Sequence, residues 1–284
     1  MRLALTLLAA AALLAGCGSS HAPGLFDYDA SKPLAYVDHG PVTAKTDTIA
    51  IHDVAYTSLG RRVQGYLVEP AGAKKLPAVV MVTGGGGDRS QLVVEARFLA
   101  QRNVVVLTIT PPSTLVTSTP TTGAALLAQA RSITVGDVVA VRRAVDVLQT
   151  LPSVDPHRIG YLGWSLGAKT GTYVAESEPR VEALALLSAG ADPISAFIAH
   201  APAPLRKQAR TVLGSIDPLA AIKHAHGDRL LLEDGTRDEV IPRTALRNVI
   251  AAAPHGTTVR WFDATHALNR KAYDAAFSWL GSKL

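Results

Sequence analysis

A serine flanked by glycines is the residue with the clearest potential for covalent chemistry. Ser165 stands in Gly163-Trp-Ser-Leu-Gly167, after a short apolar run and before a stretch of small residues typical of a helix. A tight turn from strand to helix would strain the backbone of Ser165, and glycines two residues away on either side avoid clashes that a Cβ would cause. The hydroxyl would then be exposed at the carboxyl edge of a sheet. The amide of Leu166, at the helix N-terminus, would face an oxyanion formed by attack on an acyl carbon.

A serine hydroxyl is a weak nucleophile until a base removes its proton, so a histidine must lie within reach. Among nine histidines, His266 has the best position, because it follows the predicted strand 259–262 through a short loop and precedes the predicted C-terminal helix. His224 and His226 lack a third metal ligand nearby, and the metalloprotease pattern His-Glu-x-x-His does not occur. The sequence predicts His266 as the base and implies neither a metal ion nor an organic cofactor.

An acidic residue must orient the histidine. Four acidic residues follow one apolar run in Leu230-Leu-Leu-Glu-Asp-Gly-Thr-Arg-Asp-Glu-Val-Ile-Pro242. We predict Asp238 as the acid because it lies in the loop beyond the strand, a few residues past the glycine. Asp234 comes too early in the segment, and Glu239 remains the alternate.

The apolar pattern predicts the elements that position these residues. Short β-rich runs alternate with longer amphipathic stretches, and several of the runs are continuously apolar, as in parallel strands covered on both faces. This alternation predicts an α/β fold with a doubly wound, mostly parallel sheet flanked by helices. The segment of about 192–226 breaks the alternation and is predicted to form a small cap. The predicted strands are 64–69, 78–82, 104–109, 159–162, 183–187, 230–233 and 259–262, and the predicted helices are 91–101, 135–151, 166–175, 244–252 and 270–280.

The N-terminal residues predict an export signal. Arg2 precedes an apolar run over 3–14, which is typical of a secretory signal peptide and too short to span a bilayer. The small residues before Cys17, the only cysteine, resemble the lipobox of bacterial lipoproteins. The resemblance implies a signal peptide at 1–16, lipidation of Cys17 and a protein anchored to the membrane of the cell envelope. An ordinary signal peptide cleaved nearby is the alternative.

Composition bounds the remaining organisation. The chain has 284 residues, of which 48% are hydrophobic and 18% charged, as expected for one large α/β domain. Residues 17–45 mix Gly, Ser, Pro, Asp and His without periodicity and are predicted to be a tether that leads into a catalytic domain at 46–284. The net charge is +5, but Lys and Arg are scattered without the clustered patches of a nucleic-acid surface, so no nucleic-acid partner is expected.

A run of four glycines, Gly84 to Gly87, follows the predicted strand 78–82. It lacks the Lys-Ser/Thr ending of a P-loop and does not match Gly-x-Gly-x-x-Gly. The glycine run, Gly-Trp-Ser-Leu-Gly, Gly-Thr-Arg-Asp-Glu-Val-Ile-Pro and Ala-Thr-His together resemble the dienelactone hydrolase-like branch of the α/β-hydrolase superfamily, from about residue 47 to the C-terminus.

The resemblance carries further expectations. The order Ser, Asp, His along the chain matches that of α/β-hydrolases. The position of the glycine run implies that the Gly85 amide, or that of Gly86 as alternate, is the second oxyanion donor. Two departures are visible: Thr83-Gly84 replaces the family's usual His-Gly before the run, and Ser165 stands where dienelactone hydrolase itself has cysteine. The second departure points to esterase-like relatives.

These features together predict a serine hydrolase that forms an acyl-enzyme on Ser165. Carboxylic esters of small molecules are the expected substrates, by analogy of fold and motif. A serine peptidase or amidase using the same residues is one alternative, and a catalytically idle, surface-binding lipoprotein is another. The sequence leaves open the preferred acyl and alcohol groups, the oligomeric state and the choice between inner and outer membrane.

Overall fold

A computed structural model describes residues 24–43 and 47–284. Within these residues nine strands form one sheet in the order β1-β2-β3-β5-β4-β6-β7-β8-β9. Strands β1 to β3 and the β3–β5 pair are antiparallel, whereas β5, β4, β6, β7, β8 and β9 run parallel to one another. The strands are β1 (Val37–Pro41), β2 (Ile49–Ser58), β3 (Arg61–Pro70), β4 (Leu76–Val82), β5 (Val105–Ile109), β6 (Val154–Trp164), β7 (Val181–Leu187), β8 (Leu230–Gly235) and β9 (Thr258–Phe262).

Helices cover both faces of this sheet, because its central strands are apolar on both sides. One core packs α2, α3 and α7 against the sheet, and a second core packs α1 and α8 against the opposite face. The predicted α/β fold with a doubly wound, mostly parallel sheet is confirmed. The helices are α1 (Val93–Ala100), α2 (Gly123–Thr150), α3 (Leu166–Ser177), α4 (Ile194–His200), α5 (Arg206–Gly214), α6 (Pro218–Ala221), α7 (Arg243–Ala252) and α8 (Arg270–Lys283).

Helix α2 begins earlier than the predicted range 135–151. Its first residue is Gly123, and the Thr122 side chain caps it by accepting a hydrogen bond of 3.3 Å from the Ala125 amide. The buried residues of α2 all lie from Asp137 onward. Its N-terminal half extends past the sheet and contacts α5, so the core-facing periodicity that predicts a helix is absent there. By length and composition α2 could cross a membrane, but its C-terminal half is built into the core.

The segment between β7 and β8, predicted as a cap, contains three short helices, α4, α5 and α6. Helices α4 and α5 pack against each other, α5 packs against the N-terminal half of α2, and α6 packs against α3. This segment therefore borders the carboxyl end of β6, where α3 begins.

The described part of the predicted tether packs on the domain. Phe26 is buried, with its ring centroid 5.6 Å from that of Tyr173 on α3, and β1 pairs with β2. The folded unit thus begins before the predicted boundary at residue 46. The predicted signal peptide 1–16 and Cys17 lie outside the described residues.

Candidate active site

Ser165 lies on the sharp turn between β6 and α3. Its backbone has φ 57° and ψ −113°, and a positive φ of this kind costs a residue other than glycine about 1–3 kcal/mol. A Cβ on Gly163 would lie 2.4 Å from the Gly167 carbonyl oxygen, and a Cβ on Gly167 would lie 2.2 Å from the Val82 carbonyl oxygen. Close contacts between main-chain segments therefore require both glycines of the motif.

Hydrogen bonds to the flanking strands hold this turn in place. The Ser165 amide donates to the Leu187 carbonyl oxygen at 2.8 Å, and the Gly167 amide donates to the Thr83 carbonyl oxygen at 3.0 Å. The buried Tyr161 hydroxyl donates to the Gly167 carbonyl oxygen at 2.6 Å. The strained turn is thus fixed between the ends of β4 and β7.

The side chains of Ser165, His266 and Asp238 form one continuous hydrogen-bonded chain. His266 Nε2 lies 2.9 Å from Ser165 Oγ, and His266 Nδ1 lies 2.8 Å from Asp238 Oδ2. Asp238 Oδ1 accepts the amides of Val240 at 2.9 Å and Ile241 at 2.8 Å, and only 2% of the Asp238 side chain is exposed. The loop backbone thereby orients the carboxylate toward the imidazole, and the structure brings the three predicted residues together.

The loop that carries His266 is fastened to the strands beside Ser165. Trp164 Nε1 donates to the His266 carbonyl oxygen at 2.9 Å, and Ser188 Oγ donates to the same oxygen at 3.0 Å. Glu239, the alternate acid, accepts the His266 amide at 3.1 Å and so contacts its main chain rather than its imidazole. Trp164 and Ser188 were not singled out from the sequence, because their role depends on two loops that meet only in the folded chain.

The two predicted oxyanion donors lie on neighbouring loops. Among the described residues, neither the Leu166 amide nor the Gly85 amide donates a hydrogen bond. A Cβ on Gly85 would lie 3.9 Å from Leu166 Cδ2, whereas a Cβ on Gly84 would lie 3.2 Å from Ser165 Cβ. Gly84, which the sequence did not distinguish within the run, makes the closest approach to the serine. Gly86 has a φ of +76° and supplies the turn of the loop.

The glycine loop is anchored without the histidine that usually precedes it. The Thr83 hydroxyl donates to the side-chain oxygen of Gln91, which fills the space beside Gly87. The Thr114 hydroxyl donates to the Gly87 carbonyl oxygen at 2.9 Å. Side chains from three segments therefore hold the loop, and Thr83 has a defined role in place of the expected histidine.

Two carboxyl groups are buried near Asp238 at the end of β8. Burial, supplemented by the negative charge of Asp238, raises the pKa of Asp234 to about 7. Burial also raises the pKa of Glu233 to about 7, although an ion pair of 3.1 Å with Arg260 opposes the shift. Oδ1 of Asp234 has no hydrogen-bond partner among the described residues. Asp234 therefore holds its proton to a higher pH than an exposed aspartate does.

The arrangement is suited to nucleophilic acyl transfer. This chemistry needs a hydroxyl, an imidazole within hydrogen-bonding distance of it, and amides that are available to donate to an oxyanion. The site provides Ser165, His266 and the amides of Leu166 and Gly85, which donate no other hydrogen bond among the described residues. Leu166 also lines a cavity of about 470 Å³ that could hold part of a substrate. Within residues 24–43 and 47–284, no group of three or more His, Cys, Asp or Glu side chains is placed to hold a metal ion.

The fold and the site define the class of protein: a doubly wound α/β-hydrolase fold with serine, histidine and aspartate meeting at the carboxyl edge of the sheet. The sequence model of the dienelactone hydrolase family matches residues 63–278, and the chain therefore belongs to the dienelactone hydrolase family. No curated protein sequence matches the chain significantly.

Solved structures share the fold at low sequence identity. The acetyl xylan esterase from Paenibacillus sp. R4 superposes with a TM-score of 0.72 at 18% identity, over 89% of this chain and 90% of that chain. Acetyl xylan esterase 1 from Thermoanaerobacterium sp. JW/SL YS485 gives a TM-score of 0.70 at 18% identity, over 88% and 87% of the two chains. A cold-adapted esterase from an Arctic intertidal metagenomic library gives 0.66 at 14% identity, over 85% and 97%.

Replacing Asp234 tests the buried carboxyl group. Because its pKa in the folded protein lies above the ordinary value of 3.8, the folded state binds an extra proton between about pH 4 and pH 7, and stability falls as the pH rises through that window. Asp234→Asn removes this loss, so its stability relative to wild type should improve by about 4 kcal/mol between pH 4 and pH 8. Urea unfolding at several pH values measures the difference.

The matched control is Asp192→Asn, which changes an exposed aspartate. Its stability difference from wild type should stay constant over the same pH range. A constant difference for Asp234→Asn as well would show that the buried carboxyl group does not titrate in this window.

Proposed function

We propose that this chain is a serine hydrolase that cleaves carboxylic esters through an acyl-enzyme intermediate. The observation that carries the proposal is the hydrogen-bonded chain from Asp238 through His266 to Ser165, with distances of 2.8 and 2.9 Å. Membership of the dienelactone hydrolase family and the similarity in fold to esterases of known structure support hydrolysis of an ester.

In the first half of the proposed reaction, Ser165 Oγ attacks the carbonyl carbon of the ester while His266 Nε2 accepts the hydroxyl proton. The carbonyl electron pair moves onto oxygen, and the amides of Leu166 and Gly85 donate hydrogen bonds to the resulting oxyanion. When the carbonyl reforms, the bond to the alcohol oxygen breaks. The imidazolium returns its proton to that oxygen, so the alcohol leaves and the acyl group remains on Ser165.

Water completes the reaction by the same route. His266 Nε2 removes a proton from a water molecule, whose oxygen attacks the acyl carbon and forms a second oxyanion. Collapse of this intermediate breaks the bond to Ser165 Oγ, which takes the proton from the imidazolium, and a carboxylic acid is released. Asp238 keeps the Nδ1 proton of His266 directed at itself throughout, so that Nε2 faces the serine as a base.

The positions of the donors explain why the strained turn would favour this chemistry. Leu166 is the first residue of α3, and the partial positive charge of a helix N-terminus favours a developing negative charge. The helix amide and the loop amide are held by the fold before the substrate arrives. They therefore need little reorganisation when the oxyanion forms.

Labelling with a fluorophosphonate probe tests the nucleophile directly. The probe should modify wild-type protein at Ser165, as mapped by mass spectrometry, and Ser165→Ala should lose labelling together with about 10⁵- to 10⁶-fold in kcat toward a short-chain nitrophenyl ester. Ser215→Ala, at an exposed serine, should behave as wild type. Modification at another residue, or absence of turnover by folded wild-type protein, would contradict the proposal.

Variants of Asp238 and Glu239 test which of the two carboxylates orients the His266 imidazole. Asp238→Asn should lower kcat by about 10³- to 10⁴-fold, because an amide favours the wrong imidazole tautomer. Glu239→Gln should lower it by less than about tenfold, since the glutamine oxygen can still accept the His266 amide. Nitrophenyl ester kinetics of the two variants provide the comparison. The reverse ranking would assign the orienting role to Glu239.

We also propose that the chain is exported and lipidated at Cys17, which would place the enzyme at the bacterial membrane surface. The apolar run over 3–14 and the small residues before this cysteine support the proposal. In a bacterial host, the full-length chain should incorporate radiolabelled palmitate and partition into Triton X-114. Cys17→Ser should do neither. Equal labelling of the variant would show attachment elsewhere, and no labelling of wild type would favour an ordinary signal peptide.

A further inference from the structure

A largely apolar cavity adjoins the proposed nucleophile. It has a volume of about 470 Å³ and lies between α2, α3, the segment that joins β7 to β8, and the start of α7. Leu166, the residue after Ser165, forms part of its wall, together with Tyr173, Ile216 and Ile241. The wall formed by Leu166 places this cavity next to the turn that carries Ser165.

A second apolar space opens farther from the serine, between the N-terminal half of α2 and helices α4 and α5. This groove has a volume of about 410 Å³. Among the residues that the structure describes, only apolar ones line it, including Leu126 and Ala130 of α2, Phe197 of α4 and Leu213 of α5.

The cavity and the groove meet at three common wall residues. Ala130 of α2, Phe197 of α4 and Leu213 of α5 each line both spaces. At the distal end of the groove, α2 approaches the opposite wall closely, because a Cβ on Gly123 would lie 2.5 Å from Leu205 Cδ1. These two adjacent and largely apolar spaces, called the path below, extend from Leu166 to the contact between Gly123 and Leu205.

Two large apolar side chains of the groove are exposed. Leu126 is 44% exposed and Phe197 is 57% exposed. Apolar area left in water is unfavourable, and burying it against a hydrocarbon chain releases free energy in proportion to the area covered. The exposed walls belong to the same path that begins at Leu166, so a ligand held at Ser165 is the occupant best placed to cover them.

From this arrangement we propose that the path is the acyl-binding site of the enzyme and that the preferred substrates are esters of unbranched fatty acids of about eight to twelve carbons. The inference rests on the proposed ester hydrolysis and adds the substrate class. An acetyl group would occupy only the region next to Leu166. A longer chain would pass Ala130 and Phe197 and cover Leu126.

Two polar side chains of the cavity define the alternative to an alkyl chain. Burial raises the pKa of Asp137 to about 6, and Asp137 Oδ1 accepts the Ser113 amide at 2.9 Å. Burial lowers the pKa of Lys169, whose ammonium forms no ion pair within the described residues. An acyl group that ends in a carboxylate would form an ion pair with the Lys169 ammonium in the cavity. The wholly apolar groove beyond it has no group to hold such an end, so an alkyl chain fits the complete path better.

A chain-length series of nitrophenyl esters, kept below their critical micelle concentrations, tests the proposal with the full-length protein. Each buried methylene should raise kcat/KM by about three- to fourfold. We therefore expect kcat/KM to rise by about 100-fold or more from butanoate to decanoate. Esters with the same chain length but a terminal carboxylate should be poorer substrates than the alkyl esters.

Ala130→Trp would fill the junction of the two spaces. It should lower the ratio of kcat/KM for decanoate to that for butanoate by about 30-fold or more, because several methylenes lose their contacts. Leu126→Ser, at an exposed position that does not endanger folding, should lower the same ratio about three- to tenfold. The controls are Ala125→Trp on the exposed side of α2 and Leu115→Ser at an exposed leucine outside the path; both should keep the wild-type ratio.

The possible results separate failure of the acyl-binding path from failure of the proposed ester hydrolysis. Turnover that depends on Ser165 but does not rise with chain length, or that rises without responding to Ala130→Trp and Leu126→Ser, would overturn the acyl path. Preference for carboxylate-ended esters, abolished by Lys169→Met, would also overturn it and assign an anionic acyl group instead. Absence of Ser165-dependent turnover with every ester would overturn the proposed function itself.

Discussion

Close contact between main-chain segments around Ser165 is the constraint on which the site depends. The turn is strained, and it persists because hydrogen bonds from Ser165 and Gly167 to the carboxyl ends of neighbouring strands hold it from both sides. Glycine at 163 and 167 is required by contacts of less than 2.5 Å that any Cβ would make. The hydrogen bonds to the sheet, whose parallel strands end together at this edge, therefore offset the free-energy cost of the strained turn.

Asp234, Asp238 and Glu239, on β8 and the loop after it, differ in burial and in the hydrogen-bond donors that reach them. Asp238 accepts two backbone amides and contacts the imidazole, whereas Asp234 is buried and its Oδ1 has no hydrogen-bond partner in the described part of the chain. Desolvation therefore keeps the pKa of Asp234 high. Glu239 is held against the His266 main chain. Three carboxyl groups within six positions thus have three different roles, set by the donors that reach each one.

The residues that converge at the site were predictable because their signals are local. Gly163 and Gly167 mark the turn of Ser165, while His266 and Asp238 each follow a predicted strand, so the sheet alone brings them to one edge. Contacts between distant segments left no such pattern. Trp164 and Ser188 hold the His266 carbonyl, and Gln91 supports the glycine loop, only once the chain has folded. The early start of α2 escaped prediction for a related reason: its first turns contact other helices instead of the sheet.

The hydrogen bonds from Trp164 and Ser188 to the His266 carbonyl oxygen tie the loop of His266 directly to the ends of β6 and β7. The imidazole of His266 and the hydroxyl of Ser165 are therefore positioned by the same strand ends. The helices inserted between β7 and β8 bear none of these bonds to His266. Substitutions in that insertion can change the shape of the cavity beside Leu166 while the reacting atoms keep their alignment. Proteins with this fold can therefore evolve new substrate preferences without changing the catalytic residues.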